Sequence, residues 1–267
     1  MKKLAELHRM TGRTAMITGG AGHLGLAFGE ALAECGANLV VVDRDLIACE
    51  ARAKAHEAHG GTDVLAVAAD LADAASAERV VARVLERFGR LDVLVNNAAF
   101  TGASGLPGFA VPFAEQSVEA WDAAMRVNLT APFALVHAAR EALAASGAGS
   151  VVNVSSIYGM VGPNMGLYEG TRMGNPAAYG ASKGGLLQLT RYLATVLAPR
   201  VRVNAISPGG VERGQPPEFQ ARYGALTPLG RMAREEDLKG AIAFLASDAS
   251  AYVTGQNLAV DGGWTSW

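Results

Sequence analysis

Hydrophobic residues along the 267-residue chain fall into two alternating patterns. Short runs rich in Val, Ile, Leu and Ala recur at 14–18, 38–43, 63–69, 91–96, 150–155, 201–207 and 257–260, with longer Ala- and Leu-rich segments between them. Continuous short apolar runs read as strands covered on both faces, so the alternation predicts repeated βαβ units and a mainly parallel, seven-stranded sheet. Gly36, the Gly60 and Gly61 pair, and Gly89 stand where the first three helices should stop.

No linker, repeat or low-complexity tract interrupts this pattern, and residues 1–267 read as a single α/β domain. Irregular stretches at 101–112, 159–176 and 209–229 each follow the C-terminal end of an expected strand. Ligands bind at that edge of an open α/β sheet, so the last two stretches are expected to act as substrate loops.

Composition narrows the picture. A chain with 50% hydrophobic and 18% charged residues can bury a large sheet. Its net charge of −2, without a run of either sign, gives no footing for nucleic acid or an anionic membrane, so a small-molecule partner is expected. Cys35 and Cys49 are too few for a disulfide framework and lack zinc-ligand spacing, so both read as small buried or helix-face residues and no metal is expected. Lys2 and Lys3 are followed at once by Glu6, His8 and Arg9, leaving no apolar stretch for a secretory signal, and no span reaches membrane length. Cytoplasmic residence follows by elimination.

The first strand runs into Thr18-Gly19-Gly20-Ala21-Gly22-His23-Leu24-Gly25 and then a helix, the context in which a glycine loop can cradle a pyrophosphate at a helix N-terminus. Such a loop alone can equally be a simple connection. The second strand ends on Asp43, 18 positions after Gly25, near the spacing of an acidic residue that holds adenosine ribose hydroxyls and repels a 2′-phosphate. NAD is therefore favoured over NADP, although Arg44 could admit the extra phosphate and Asp43 could instead cap the next helix.

Moving a hydride between a carbinol and a nicotinamide also needs a group that exchanges the hydroxyl proton. A phenol can serve if a nearby cation lowers its pKa, and a Tyr and a Lys four apart share one helix face. Of the six tyrosines only Tyr179 has a lysine at that spacing, Lys183. Tyr168 with Arg172 is the rival pair, but Gly166, Gly170, Gly174 and Pro176 make a helix there unfavourable.

Together these features resemble the short-chain dehydrogenase/reductase family. The resemblance spans Thr14 to Gly263 and rests on the glycine loop, Asp70, Asn96-Asn97-Ala98-Ala99, Asn128, Ser156, the Tyr179 and Lys183 pair, Pro208-Gly209-Gly210, Thr254-Gly255-Gln256 and Asp261-Gly262-Gly263. It implies a doubly wound Rossmann fold with strand order 3-2-1-4-5-6-7, an NAD(P)-dependent interconversion of a secondary alcohol and a ketone, and a homotetramer. The Ala-rich stretches Ala138 to Ala145 and Leu186 to Leu197 could pack in the core or between subunits.

The resemblance also implies roles. The dinucleotide would lie along Gly19, Gly22, His23, Leu24 and Gly25, with Asp43 and Arg44 at the ribose, and Asp70 and Leu71 at the adenine. Asn96, Asn97, Ala98 and Ala99 would sit on the adenosine side, Pro208, Gly209, Gly210 and Val211 near the nicotinamide, and Lys183 at its ribose. Tyr179 would be the general acid/base, with Lys183 lowering its pKa, Ser156 polarising the substrate oxygen and Asn128 holding a relay water. Ser155 is the alternative to Ser156, and either could simply cap the turn; a buried Asn128 could equally serve only backbone groups.

Two positions depart from the family pattern. Members of this length commonly carry TGxxxGxG, whereas His23 stands at the middle glycine; the string instead fits the TGxxGxxG of longer sugar-nucleotide-modifying relatives. His23 could touch a phosphate or be an ordinary, partly exposed loop residue, and no catalytic role is expected of it. Ala99 replaces the last glycine of NNAG, which costs little if the backbone there keeps a negative φ.

Ser156 and Tyr179 are 23 positions apart, more than is usual in the family, which makes 159–175 an insertion beside the site. Tyr168, Glu169, Arg172, Glu212, Arg213 and Gln215 would give the pocket a polar rim suited to a sugar or sugar acid, unless they form only a solvated loop. A 3-oxoacyl thioester is the second substrate class. A cofactor-bound regulatory or scaffold protein is the alternative of another kind, and a sugar-nucleotide epimerase or dehydratase is suggested only by the loop spacing.

Overall fold

In the computed structural model, which describes residues 1–101, 105–171 and 173–267, seven strands form one sheet. They are β1 (Thr14–Thr18), β2 (Asn38–Asp43), β3 (Val64–Ala68), β4 (Val93–Asn96), β5 (Gly149–Val154), β6 (Val201–Pro208) and β7 (Asn257–Val260). Their order is β3-β2-β1-β4-β5-β6-β7, and every pairing is parallel. The expected topology holds, with β3 one residue shorter at each end, β4 starting two residues late, β5 shifted one residue earlier and β6 one residue longer.

Nine α-helices lie among the described residues: α1 (Leu4–His8), α2 (His23–Glu34), α3 (Leu46–Gly60), α4 (Ser76–Phe88), α5 (Val118–Met125), α6 (Ala131–Ala145), α7 (Ala177–Leu197), α8 (Pro217–Leu226) and α9 (Lys239–Ala246). The pleat of the sheet sorts the core. Met16, Leu94, Val151 and Val203 face α4, α6 and α7, whereas Ile17, Val95, Val152 and Ile206 face α2 and α9. Both faces are therefore buried, which is why the strands read as unbroken apolar runs.

The glycine stops act as anticipated at three helix ends: Gly36, Gly61 and Gly89 follow α2, α3 and α4 with φ of 91°, 62° and 68°, a region that favours glycine. The strand order reverses between β1 and β4, and at such a switch point the connecting segments diverge to leave a crevice. No helix is long and apolar enough to cross a membrane among the described residues.

Candidate active site

The crevice opens into a cavity of about 800 Å³ at the C-terminal ends of the strands. That is within the size range of small-molecule and cofactor sites. One arm runs past Gly19, Gly22, His23, Leu24, Asp43, Arg44, Asp70, Leu71, Asn97, Ala98 and Ala99; the other reaches Ser156, Tyr179, Lys183, Pro208, Gly209 and Val211. Of the expected site residues only Gly25, Asn96 and Asn128 stand behind the wall.

Each of the three has a reason. A Cβ on Gly25 would sit 2.3 Å from the Gly19 carbonyl oxygen and 2.6 Å from the Gly20 Cα, so this glycine lets α2 press against the loop. Asn96, expected on the adenosine side, instead donates from Nδ2 to Asn153 Oδ1 (2.8 Å), and Asn153 donates on to Thr190 Oγ1 (2.9 Å), tying β4 and β5 to α7. Asn128 lies in one turn of π-helix over Arg126–Thr130; its Oδ1 accepts from the Phe100 N–H (2.6 Å) and its Nδ2 donates to Ser182 Oγ (3.1 Å). The Asn128 side chain thus serves the surrounding structure.

At the nucleotide arm, Thr18 does what the sequence reading overlooked. Its Oγ1 accepts from the N–H groups of Asn97 (3.0 Å) and Ala98 (3.1 Å), and the Asn97 amide donates to the carbonyls of Thr18 and Gly19. The β1 and β4 loops are thereby clamped together. Asp43 accepts from Ala21 N–H (3.2 Å) and Arg44 N–H (2.8 Å), while Asp45 is the residue that caps α3. The capping alternative for Asp43 therefore falls away.

His23 is the first residue of α2, exposed, with Nδ1 3.9 Å from Glu235. The non-glycine residues with described backbones all keep negative φ, so neither His23 nor Ala99 occupies a conformation that needs glycine. Gly22 caps α2 without a side-chain partner, and a Cβ there would meet only Gly19 O at 3.3 Å. This open helix N-terminus and the long cavity leading from Asp43 to Tyr179 fit a dinucleotide.

At the other arm, α7 is held so that Tyr179 and Lys183 face β5. A Cβ on Gly159 would lie 2.7 Å from the Lys183 carbonyl carbon, so the short turn after β5 can rest directly on α7. Ser155 Oγ donates to the Lys183 carbonyl (2.9 Å), which commits that hydroxyl to structure. Ser156 Oγ accepts from Tyr158 N–H (3.2 Å), lines the cavity, and lies near the Tyr179 phenol.

Lys183 is 2% exposed, and its ammonium donates to the Val154 carbonyl at 2.7 Å, where the pairing of β5 with β4 has ended. Burial lowers its pKa to about 8. The ammonium stands 5.8 Å from the centre of the Tyr179 ring. Burial pushes the Tyr179 phenol up; the Ser156 hydroxyl pulls it down, and so, more weakly, does the charge of Arg213. Tyr158 and Tyr223 are also pushed up by burial, Tyr223 to about 12, so both stay protonated.

The substrate side differs from the polar rim expected. Tyr158, Tyr168, Met173, Phe219, Tyr223 and Met232 line it, joined by Arg213 and Gln215; Glu169 and Glu212 are exposed outside the lining, and Arg172 lies outside the described residues. The Tyr168 segment forms a single 3₁₀ turn at Met165–Tyr168, consistent with its glycine content. Its phenol is 2.9 Å from that of Tyr158.

Comparison with known proteins agrees with this geometry. Residues 19–265 match the family model described as enoyl-(acyl carrier protein) reductase. The chain is 38% identical over 263 residues to cis-4-hydroxycyclohexanecarboxylate dehydrogenase of Sinomonas cyclohexanicum, covering 95% of this chain and 97% of that one. It is 35% identical over 263 residues to 2,5-dichloro-2,5-cyclohexadiene-1,4-diol dehydrogenase of Sphingobium indicum, covering 97% and 98% of the two. A crystal structure of a short-chain type dehydrogenase/reductase from Mycobacterium marinum superposes with a TM-score of 0.86 at 27% identity over 99% of each chain. With similarity over nearly its whole length and the same architecture, the chain belongs to the short-chain dehydrogenase/reductase family.

Proposed function

We propose that the protein is a nicotinamide-dependent oxidoreductase interconverting a secondary alcohol and a ketone, with Tyr179 exchanging the hydroxyl proton. The observation that carries this reading is the convergence of Tyr179, Ser156 and Lys183 on one cavity that continues to the glycine loop and Asp43. Gly19, Gly22, His23, Leu24, Asp43, Asp70, Leu71, Asn97, Ala98, Ala99, Pro208, Gly209 and Val211 would hold the dinucleotide, which supplies the hydride acceptor or donor.

The chain's own residues supply the proton chemistry. Ser156 donates to the substrate oxygen as negative charge grows on it, and Tyr179 takes the hydroxyl proton during oxidation or returns it during reduction. Lys183 sits on the same helix face and binds the nicotinamide ribose; its positive charge favours the phenolate during the transfer. The Asn128 turn stiffens α7 through Ser182, whose hydroxyl donates to the Tyr179 carbonyl (3.0 Å), so a relay water held there would rest on backbone groups.

NAD is the preferred cofactor, because the Asp43 carboxylate stands at the end of β2 where a 2′-phosphate would otherwise lie. The ring-bearing alcohols named for the two relatives support a cyclic secondary alcohol over the sugar or 3-oxoacyl thioester. The protein is further proposed to work in the cytoplasm as a homotetramer. Apolar side chains left exposed on α6 and α7, namely Phe133, Tyr192 and Val196, support subunit contacts there, and light scattering would measure them.

Tyr179→Phe tests the reading. Turnover is expected to fall by about 10²–10⁴-fold, with dinucleotide binding retained, as measured by reduced-cofactor absorbance and fluorescence titration. Turnover at the wild-type rate would remove Tyr179 from the chemistry.

A further inference from the structure

The wall facing Tyr179 describes the substrate more closely, on the premise of the oxidoreductase reading above. Ile157, Leu167, Phe219, Tyr223, Met232 and Trp264 form one buried apolar cluster against which Tyr158, Tyr168 and Met173 pack. The rings follow one another at 5.6 Å from Tyr168 to Phe219, 6.1 Å from Phe219 to Tyr223 and 4.3 Å from Tyr223 to Trp264.

The phenol oxygens on this wall already have partners. Tyr158 and Tyr168 pair with each other, Asn175 Nδ2 donates to the Tyr168 oxygen (3.3 Å), and Gly210 N–H donates to the Tyr223 oxygen. Most of what faces the cavity from this wall is ring surface and methionine. The few phenol groups on this wall could partner only part of a polyol's hydroxyls, whereas a saturated or partly unsaturated carbocycle would be covered without that cost.

Arg213 adds a charge at the rim. It lines the cavity, and its guanidinium is near enough for its charge to act on the Tyr179 phenol. Its Nε forms an ion pair with Glu235 at 3.5 Å, but among the described residues the guanidinium closes no hydrogen bond. Its Nη groups donate no hydrogen bond among the described residues and can receive a planar anion.

We propose that the substrate is an alicyclic secondary alcohol bearing a carboxylate, its ring lying on the Tyr158, Tyr168, Phe219 and Tyr223 wall and its anion held by Arg213. Oxidation then removes the carbinol hydrogen as hydride to NAD and the hydroxyl proton to Tyr179, leaving a ring ketone with the carboxylate untouched. Arg213 acts in specificity, through the charged end remote from the reacting carbon.

The test compares kcat/KM for 4-hydroxycyclohexanecarboxylate, cyclohexanol and gluconate in the wild type, Arg213→Gln and Arg213→Lys. The wild type is expected to favour the carboxylated ring over cyclohexanol by more than tenfold and over gluconate by at least as much. Arg213→Gln should cut the ratio of carboxylated to neutral ring by about 10–100-fold, mainly through KM, and Arg213→Lys should recover part of it. The ratio is the readout because the Arg213 charge also bears on Tyr179 and shifts the pH profile of both ring alcohols together.

A wild type that prefers gluconate, or a glutamine variant that leaves the ratio unchanged, overturns this assignment. Activity confined to some other secondary alcohol and lost in Tyr179→Phe would also overturn it, while leaving the oxidoreductase reading intact. No cofactor reduction or oxidation with any alcohol or ketone would remove both.

Discussion

Replacing Lys183 by methionine should stabilise the fold while stopping the enzyme. The ammonium is buried, and its pKa falls from 10.5 to about 8. At about 1.4 kcal/mol per tenfold change, carrying the charge into the folded state costs about 3 kcal/mol at pH 7. Methionine keeps most of the aliphatic stem but leaves the Val154 carbonyl without its donor, a loss of about 1 kcal/mol. The net gain at pH 7 is about 2 kcal/mol.

The advantage fades as pH rises. Between about pH 8 and 10.5 the unfolded wild type still holds a proton that the folded chain has released, so wild-type stability rises through that window. The variant has no such group. Its advantage should shrink by about 2 kcal/mol between pH 7 and about pH 9.5, as read from urea midpoints of both proteins in matched buffers. Turnover should fall by at least about a hundredfold. A variant less stable at pH 7, or a difference that does not move with pH, would refute the account of a charge held at a cost.

Two further predictions concern packing. Gly25→Ala forces a methyl into the Gly19 and Gly20 backbone, so a loss of about 1–3 kcal/mol and a more than tenfold weaker affinity for reduced dinucleotide are expected in melting and fluorescence titrations. His56 is fully buried with neither ring nitrogen hydrogen-bonded among the described residues, and burial lowers its pKa below 6.5. Because the unfolded chain then takes up the proton more readily, wild-type stability should fall as pH drops below about 6.5, and His56→Leu should flatten that fall and gain about 1 kcal/mol at neutral pH.

Much of the architecture could be read before any coordinates. Runs such as Val40-Val41-Val42 and Val93-Leu94-Val95 are apolar on both pleat faces because helices cover both, and that pattern survives in one dimension. The four-residue spacing of Tyr179 and Lys183 likewise encodes one helix face. The candidate catalytic pair therefore lay near the surface of the text.

The substrate wall did not. Tyr158, Tyr168, Phe219, Tyr223 and Trp264 come from four separate segments and meet only in three dimensions, so their charged sequence neighbours Glu169 and Glu212 suggested a polar rim in their stead. Asn96 misled for a different reason. Strand alternation turns it into the sheet beside Asn153, while Asn97, one residue on, is left to bind the loop. The Thr18 clamp could have been suspected from a hydroxyl at the end of β1, but its partners lie almost eighty residues away.

The stacking of Trp264 on Tyr223, whose oxygen receives the Gly210 N–H, bears on how a nascent chain becomes competent. Gly209 is pinned from the same quarter, by its N–H to the Val260 carbonyl (3.0 Å). A ribosome has therefore delivered the glycine loop, Asp43 and both members of the Tyr179 and Lys183 pair before the groups that brace the aromatic wall exist. Vectorial synthesis thus delivers the Tyr179 and Lys183 pair before the wall opposite it, and the cavity closes only once the segment carrying Tyr223 and Trp264 has followed.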